Sequence, residues 1–256
     1  MIDSRAIIDP SAKIAEGTSV GPYSVIGAEV EIGPDCEIGP HVVINGPTVI
    51  GSGNKIQSFC AIGCMPQDKK YAGEATNLVI GDNNTIFEYV TISRGTMQDR
   101  GMTYVGDENW IMAHVHIAHD CSVGNNTILA NNTTLAGHVD VEDYAILGGY
   151  TLVHQFCRIG EHCFTQMNSV ISMDVLPYLM IGGHMAKTYG LNSEGLKRRG
   201  FSDESRAAIK RAYRTIFRAG LKLDEAIAAL AESAEQHPEV RVMCDFMKNS
   251  QRGIVR

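Results

Sequence analysis

Five of the nine histidines in this 256-residue chain crowd one stretch: His114, His116, His119, His138 and His154. Imidazole changes charge near neutrality, so a positioned histidine can take and return a proton within one reaction cycle. Neutral imidazole also binds zinc, and His114 and His119 have an HxxxxH spacing. A second feature stands out in a chain of net charge −7: the run Lys197-Arg198-Arg199, shortly after Asn192 and Glu194. Arginine holds phosphate with paired hydrogen bonds. The plainer alternatives are solvated corner histidines and a solvated basic helix end.

The elements that must position these groups follow from a repeat, which is tested before local structure. Aliphatics recur every six residues from Ile2 through Ile8, Ile14, Val20 and onward to Ile62, again at Ile80, Ile86 and Ile92, and, shifted in phase, from Val105 to Ile171. Thr165 is the one non-aliphatic member. The position four after each aliphatic is small or β-branched, as at Thr18, Ser24, Cys36, Val42, Cys121 and Thr133. That slot and the next aliphatic are two apart, which puts both on one face of a short strand. The intervening residues, rich in Gly, Asn, Asp and Pro, make corners. The expected fold is an all-β solenoid, a parallel β-helix wound on a narrow core. Cys36, Cys60, Cys121, Cys157 and Cys163 fall in the small inward slot and read as core filler; Cys64 and Cys244 lie outside it.

The register places the histidines. His116 points outward from a strand, and His114, His119, His138 and His154 are corner residues, so none is expected inside the core. With three hexads per turn, residues 18 apart stack one strand spacing apart, about 4.8 Å. Gly137 then lies over His119 and Gln155 over Gly137. A histidine base beside a backbone N–H with no side chain in front of it is suitable geometry for an oxyanion donor.

Residues 63–79 and 98–104 interrupt the pattern and read as loops thrown out from the coil, where function is often carried. The hexads stop near Pro177. Ile209, Ala212, Tyr213, Ile216 and Phe217 follow helical spacing between a cap at Ser202 and a stop at Gly220; Ala226 to Ala234 gives a second helix ended by His237-Pro238; a third spans about 239–249. The expected division is a β-helix over 1–190 and a small all-α domain over 191–256. With 29 acidic against 22 basic residues and a single Trp, the chain is not expected to bind nucleic acid. It has no apolar run of membrane-spanning length and no signal-peptide pattern, so the expected location is the cytoplasm.

Several motifs together resemble the UDP-N-acetylglucosamine O-acyltransferase family: His116-Ile117-Ala118-His119-Asp120-Cys121, Leu135-Ala136-Gly137-His138-Val139, Val153-His154-Gln155-Phe156-Cys157, the stretch Asn192 to Phe201, the loop Gln67 to Glu74, and the ending Arg252 to Arg256. The resemblance spans the whole chain. It implies a left-handed β-helix, a homotrimer with active sites between subunits, and the first step of lipid A biosynthesis. In that reaction a 3-hydroxyacyl group passes from acyl carrier protein to the 3-hydroxyl of UDP-GlcNAc, without a cofactor or metal. His119 would be the general base, Asp120 its orienting group and the Gly137 N–H the oxyanion donor. Gln67, Asp68, Lys70, His116, His138, His154 and Gln155 would bind substrate. Asn192, Glu194, Arg198 and Arg199 would reach the nucleotide from the neighbouring subunit, and basic residues of the helical domain would receive the acidic carrier protein.

The chain departs from the family pattern at three places. Ser93 stands where members often have His. The run Gly63-Cys64-Met65-Pro66 differs from the usual version and leaves open a 3-amino sugar nucleotide as acceptor. Gln166-Met167-Asn168 replaces a Gly-Gly of some members, and Met167 is read as an acyl-chain ruler that shortens the accepted chain. On the same scaffold, the HxxxxH spacing keeps open a zinc hydratase of the γ-carbonic anhydrase kind.

Overall fold

The computed structural model describes residues 1–256. Its first two thirds are a left-handed parallel β-helix of triangular section. Each turn contributes one short strand to each of three parallel sheets. The first face runs from Ile7–Ile8 to Val170–Ile171, the second from Lys13–Ile14 to Arg158–Ile159, and the third from Ser19–Val20 to Phe164–Thr165 and beyond. The register is that of the hexads: His116↔Thr134, Ile117↔Leu135 and then Thr134↔Leu152, each 18 residues on. The repeating aliphatics fill the core, from Val20 through Ile171. The first turn is the exception, with Ile2 47% exposed and Ile8 and Ile14 half-buried, because no coil stacks beneath it. Thr165 is fully buried, and its hydroxyl accepts from the Gly148 N–H and pairs with Thr151.

The five slot cysteines are buried as expected. The Cys121 thiol donates to the Ala136 carbonyl, and burial pushes it up to about 12. Cys244 is buried in the helical domain and Cys64 is half-buried. One inward column is more polar than the repeat suggested. Asn54, Asn84 and Asn109 occupy successive slots and hydrogen-bond from coil to coil, ending on Thr127. The amide side chain fits because it serves both its neighbours' backbone groups and the next amide.

Corners turn through a residue in the left-handed backbone region, and many of these are bulky: Tyr23, His41, Phe59, Tyr89 and His114 have φ between 57° and 64°. An L-residue there costs about 1–2 kcal/mol. These five rings compensate by stacking in one column, with centroids 4.9–5.2 Å apart.

The first loop is shorter than the phase break suggested, and the second begins and ends earlier. Asn77–Ile80 and Met102–Val105 are strands that pair with each other, so the excursions are 65–76 and 94–101. The backbone re-enters the sheet before the aliphatic phase is visible. The coil also continues past Pro177: Leu179–Gly182 extends the third face, and Lys187–Leu191 folds back antiparallel upon it.

Five helices follow. The first, α1 (Ser193–Arg198), is capped by Asn192, and α2 (Asp203–Arg218) by Ser202. The single second helix expected from Ala226 to Ala234 is two: α3 (Leu223–Ala229) and α4 (Ala231–Gln236), broken at Leu230, which turns its side chain into the core at 4% exposure. The last, α5 (Pro238–Lys248), has proline at its first turn, where the missing N–H costs nothing. The chain end returns to the coil: Asp174 N–H donates to Gly253 O, and Val255 N–H to Asp174 O. No helix is long and apolar enough to cross a membrane.

Candidate active site

Both loops leave the helix at the same edge, between the first and second faces. On the next three turns this edge carries His119-Asp120, Gly137-His138 and His154-Gln155. The topology therefore gathers most of the residues singled out from sequence along one line.

At its centre, His119 Nδ1 lies 2.8 Å from Asp120 Oδ2. A carboxylate only accepts, so Nδ1 carries the hydrogen and Nε2 is left as the free basic nitrogen. Neighbouring residues can make this contact because Asp120 sits in the corner at φ 60°. Its carboxylate is fully buried and also accepts from the Thr96 N–H at 2.9 Å and the Thr96 hydroxyl at 2.6 Å. Gly137 lies against the His119 ring: a Cβ there would stand 2.6 Å from Cε1 and 2.8 Å from Nε2. The Gly137 N–H donates to no group of the chain.

His138 follows, its ring at right angles to that of His119 with centroids 5.0 Å apart, and stacked on Phe156 at 4.3 Å. Its Nδ1 lies 2.7 Å from Asp99 Oδ2. The side chains of His119 and His138 are only 12% and 11% exposed. They are more enclosed than a corner position implied, because the 94–101 loop folds over them. His116 points outward as expected, half-buried, with Nδ1 2.7 Å from the Thr91 hydroxyl. Burial, and then the nearby His119, lowers its pKa from the ordinary imidazole value. His154 and Gln155 are exposed on the next turn. Asp68 and Lys70 line a cleft of about 520 Å³ with Asp99, Arg100, His138 and Phe156. Gln67 is exposed on the same loop.

His119, Asp120 and His138 place ligand atoms within 4.8 Å of one another, but both histidine Nδ1 atoms already face carboxylates. The expected HxxxxH pair does not converge within one chain. His114 stacks on Tyr89 at the opposite end of the His116–Ile117 strand from His119.

Comparison with known proteins is decisive. Residues 29–64 and 102–137 match the bacterial transferase hexapeptide family, and residues 174–255 match the second domain of UDP-N-acetylglucosamine O-acyltransferase. An acyl-[acyl-carrier-protein]–UDP-N-acetylglucosamine O-acyltransferase of Pseudomonas aeruginosa is 56% identical over 256 residues, covering all of this chain and 99% of its own. One from Thiobacillus denitrificans is 53% identical over 255 residues, with the same coverage. The chain belongs to the UDP-N-acetylglucosamine O-acyltransferase family. Solved structures agree: the acyltransferase of Francisella novicida superposes with a TM-score of 0.98 at 43% identity, covering all of this chain and 94% of its own. That of Moraxella catarrhalis gives 0.98 at 46%, covering 99% of its own chain.

Within this acyltransferase the second group of sequence candidates lies elsewhere. Asn192, Glu194, Arg198 and Arg199 line a pocket of about 550 Å³ with Ile146, Phe164 and Met180 on the third face, away from the His119 edge. Arg199 also lies over the Tyr144 ring at 4.3 Å. Lys197 and Arg198 are indeed the last turn of a helix, α1. Met167 is 77% exposed at the edge between the third and first faces. One chain therefore does not bring these residues to His119. Sequence reasoning missed Thr96, Asp99 and Arg100. The only signal was that the interrupted phase near residue 98 marks a loop.

Proposed function

We propose that this acyltransferase moves a 3-hydroxyacyl group from acyl carrier protein to the 3-position of UDP-GlcNAc, the first step of lipid A biosynthesis. The observation that carries the mechanism is the Gly137 N–H beside a histidine whose Nδ1 is held by a buried carboxylate. His119 Nε2 takes the proton of the sugar 3-hydroxyl as its oxygen attacks the thioester carbonyl. The tetrahedral oxyanion forms against the Gly137 N–H. Collapse expels the carrier thiolate, which recovers the proton from His119. No covalent enzyme intermediate is required, and Cys121, buried with its thiol pushed up to about 12, is unsuited to form one.

The remoteness of Asn192, Glu194, Arg198 and Arg199 from His119 supports an assembly in which a second copy supplies the nucleotide contacts. A homotrimer with sites between subunits meets that need. Gln67, Asp68, Lys70, His116, His138, His154 and Gln155 then serve the sugar and acyl portions, and Met167 limits the chain. Basic residues of α2, among them Lys210, Arg211 and Arg214, are the candidates to receive the acidic carrier. The cytoplasm, where acyl carrier protein is charged, is the compartment this reading requires.

The test is transfer from 3-hydroxyacyl carrier proteins of graded length to UDP-GlcNAc and to its 3-amino analogue, with wild type and His119→Ala. Transfer to the hydroxyl acceptor that falls at least a hundredfold in the variant is expected. Transfer to the amino sugar alone would replace the acceptor. Undiminished transfer by the variant would remove His119 as base.

A further inference from the structure

The 94–101 loop is built onto the two histidines from outside the coil. Thr96 is fully buried, and both its N–H and its hydroxyl are spent on the Asp120 carboxylate. The oxygen that takes the Thr96 hydroxyl, Oδ2, is the one that faces His119 Nδ1. Behind it, the Asp120 N–H donates to Thr103 Oγ1 at 2.9 Å, where the loop rejoins the sheet. Three residues after Thr96, Asp99 meets His138 Nδ1 at 2.7 Å. The Asp120 carboxylate is also 3.9 Å from that nitrogen. Arg100 ties the loop to the second face through Asp140 at 2.9 Å, and its guanidinium lies 3.9 Å from Asp99.

The site thus holds two carboxylate–imidazole pairs, both completed by one loop. Each carboxylate fixes the hydrogen on Nδ1 and leaves Nε2 as the nitrogen free for substrate. For His138 the rest of the ring is also constrained, by Phe156 on its face and His119 at its edge. Its remaining freedom is a ring flip or a change of tautomer, and Asp99 removes both.

We propose that the 94–101 loop is the positioning element of this site: Thr96 acts on His119 through Asp120, and Asp99 acts directly on His138, setting its tautomer and orientation. The proposal rests on the acyl-transfer reading for its kinetic consequence, but not for its structural one. A competing account is that Asp99 only staples the loop at the surface, where an exposed ion pair contributes little.

The experiment is done on the full-length protein with Asp99→Asn, Asp99→Glu, Thr96→Val, His138→Ala and the Asp99→Asn/His138→Ala double variant. Long-range proton–nitrogen spectra of histidine-labelled protein read the tautomers directly. Wild type is expected to show the Nδ1–H form for both His119 and His138. An asparagine can donate to Nδ1, so Asp99→Asn is expected to convert His138 to the Nε2–H form and leave His119 unchanged. In acyl-transfer assays Asp99→Asn and Thr96→Val are each expected to lose about ten- to hundredfold in kcat/KM, the range for a hydrogen bond to a charged group. Asp99→Glu should recover most of the loss. In the His138→Ala background, Asp99→Asn should cost no further factor beyond twofold. An unchanged His138 tautomer in Asp99→Asn, or a full-sized loss that persists without His138, overturns the proposal. No transfer by the wild-type protein from any 3-hydroxyacyl carrier protein would sink the acyl-transfer reading instead, and the spectra would still decide the role of the loop.

Discussion

Gly137 and His119 are in van der Waals contact through the missing side chain of the glycine: a methyl at residue 137 would occupy the space of the imidazole. The Gly137 backbone lies outside the left-handed region, so alanine is no strain on the chain itself. The conflict is only with a ring that Asp120 holds at 2.8 Å. Gly137→Ala is therefore expected to fold, with an unfolding midpoint close to wild type, and to lose roughly 10²–10³ in kcat, the usual scale for an oxyanion donor or its partner base. Assay and melting curve together check this. A folded variant with a rate within threefold of wild type would show that the contact has no catalytic meaning.

The repeat was readable because a six-residue period has one geometric solution. Once that register was set, the stacking of Gly137 over His119 followed from counting alone. What the sequence concealed was contact made by loops. Asp99 and Thr96 lie between hexads, where no periodicity fixes direction, and only folding brings them over His138 and Asp120. The 94–101 loop was also misplaced by several residues, since Met102–Val105 is a strand whose first inward member is Thr103 rather than an aliphatic. The Asn54–Asn84–Asn109 ladder was hidden for a related reason: asparagine reads as a corner residue until its amide is seen to pair with the next coil. The distance between Arg198 and His119 is a different matter, because it concerns a surface that one chain does not close.

That ladder makes a prediction about stability alone. Asn84 bonds to Asn54, to the Gly106 carbonyl and to the Asn109 N–H, with no exposure to water. Asn84→Ala removes those bonds and leaves buried groups without partners, at an expected cost of about 2–4 kcal/mol. Asn84→Thr, which imitates Thr127 two steps along the ladder, should recover part of it. Denaturant unfolding measures both. The column lies inside the coil and away from the His119 edge, so kcat/KM of the folded fraction should not change. An alanine variant as stable as wild type would mean that the amides only replace water.

Met167 bears on chain length. Its side chain is 77% exposed in the single chain, so Met167→Gly should cost less than about 1 kcal/mol, chiefly through the unfolded state. If the thioether closes the acyl groove in the assembled enzyme, the variant should shift preference toward donors longer by two or more carbons. Competition between paired donors in one reaction reads the ratio directly. An unchanged ratio refutes the ruler.

His162 sets a pH limit on stability. Its ring is half-buried, stacked on Tyr144 at 4.7 Å and met edge-on by Phe201 at 4.9 Å. Burial first, and then the Arg199 guanidinium, pushes its pKa down to about 4, with Asp143 opposing. In the unfolded chain the same group titrates near 6.5. Between those values the unfolded state binds the proton and the folded state does not, so stability falls as pH drops from about 6.5 to about 4, and the loss is complete below. Partial exposure screens the effect, and about 1 kcal/mol over the window is expected. His162→Phe keeps the stack and removes the titration. Unfolding free energies at pH 7.5 and pH 4.5, at one protein concentration, should show a smaller acid loss in the variant by that amount. Equal losses would mean that His162 is protonated as readily in the fold as out of it.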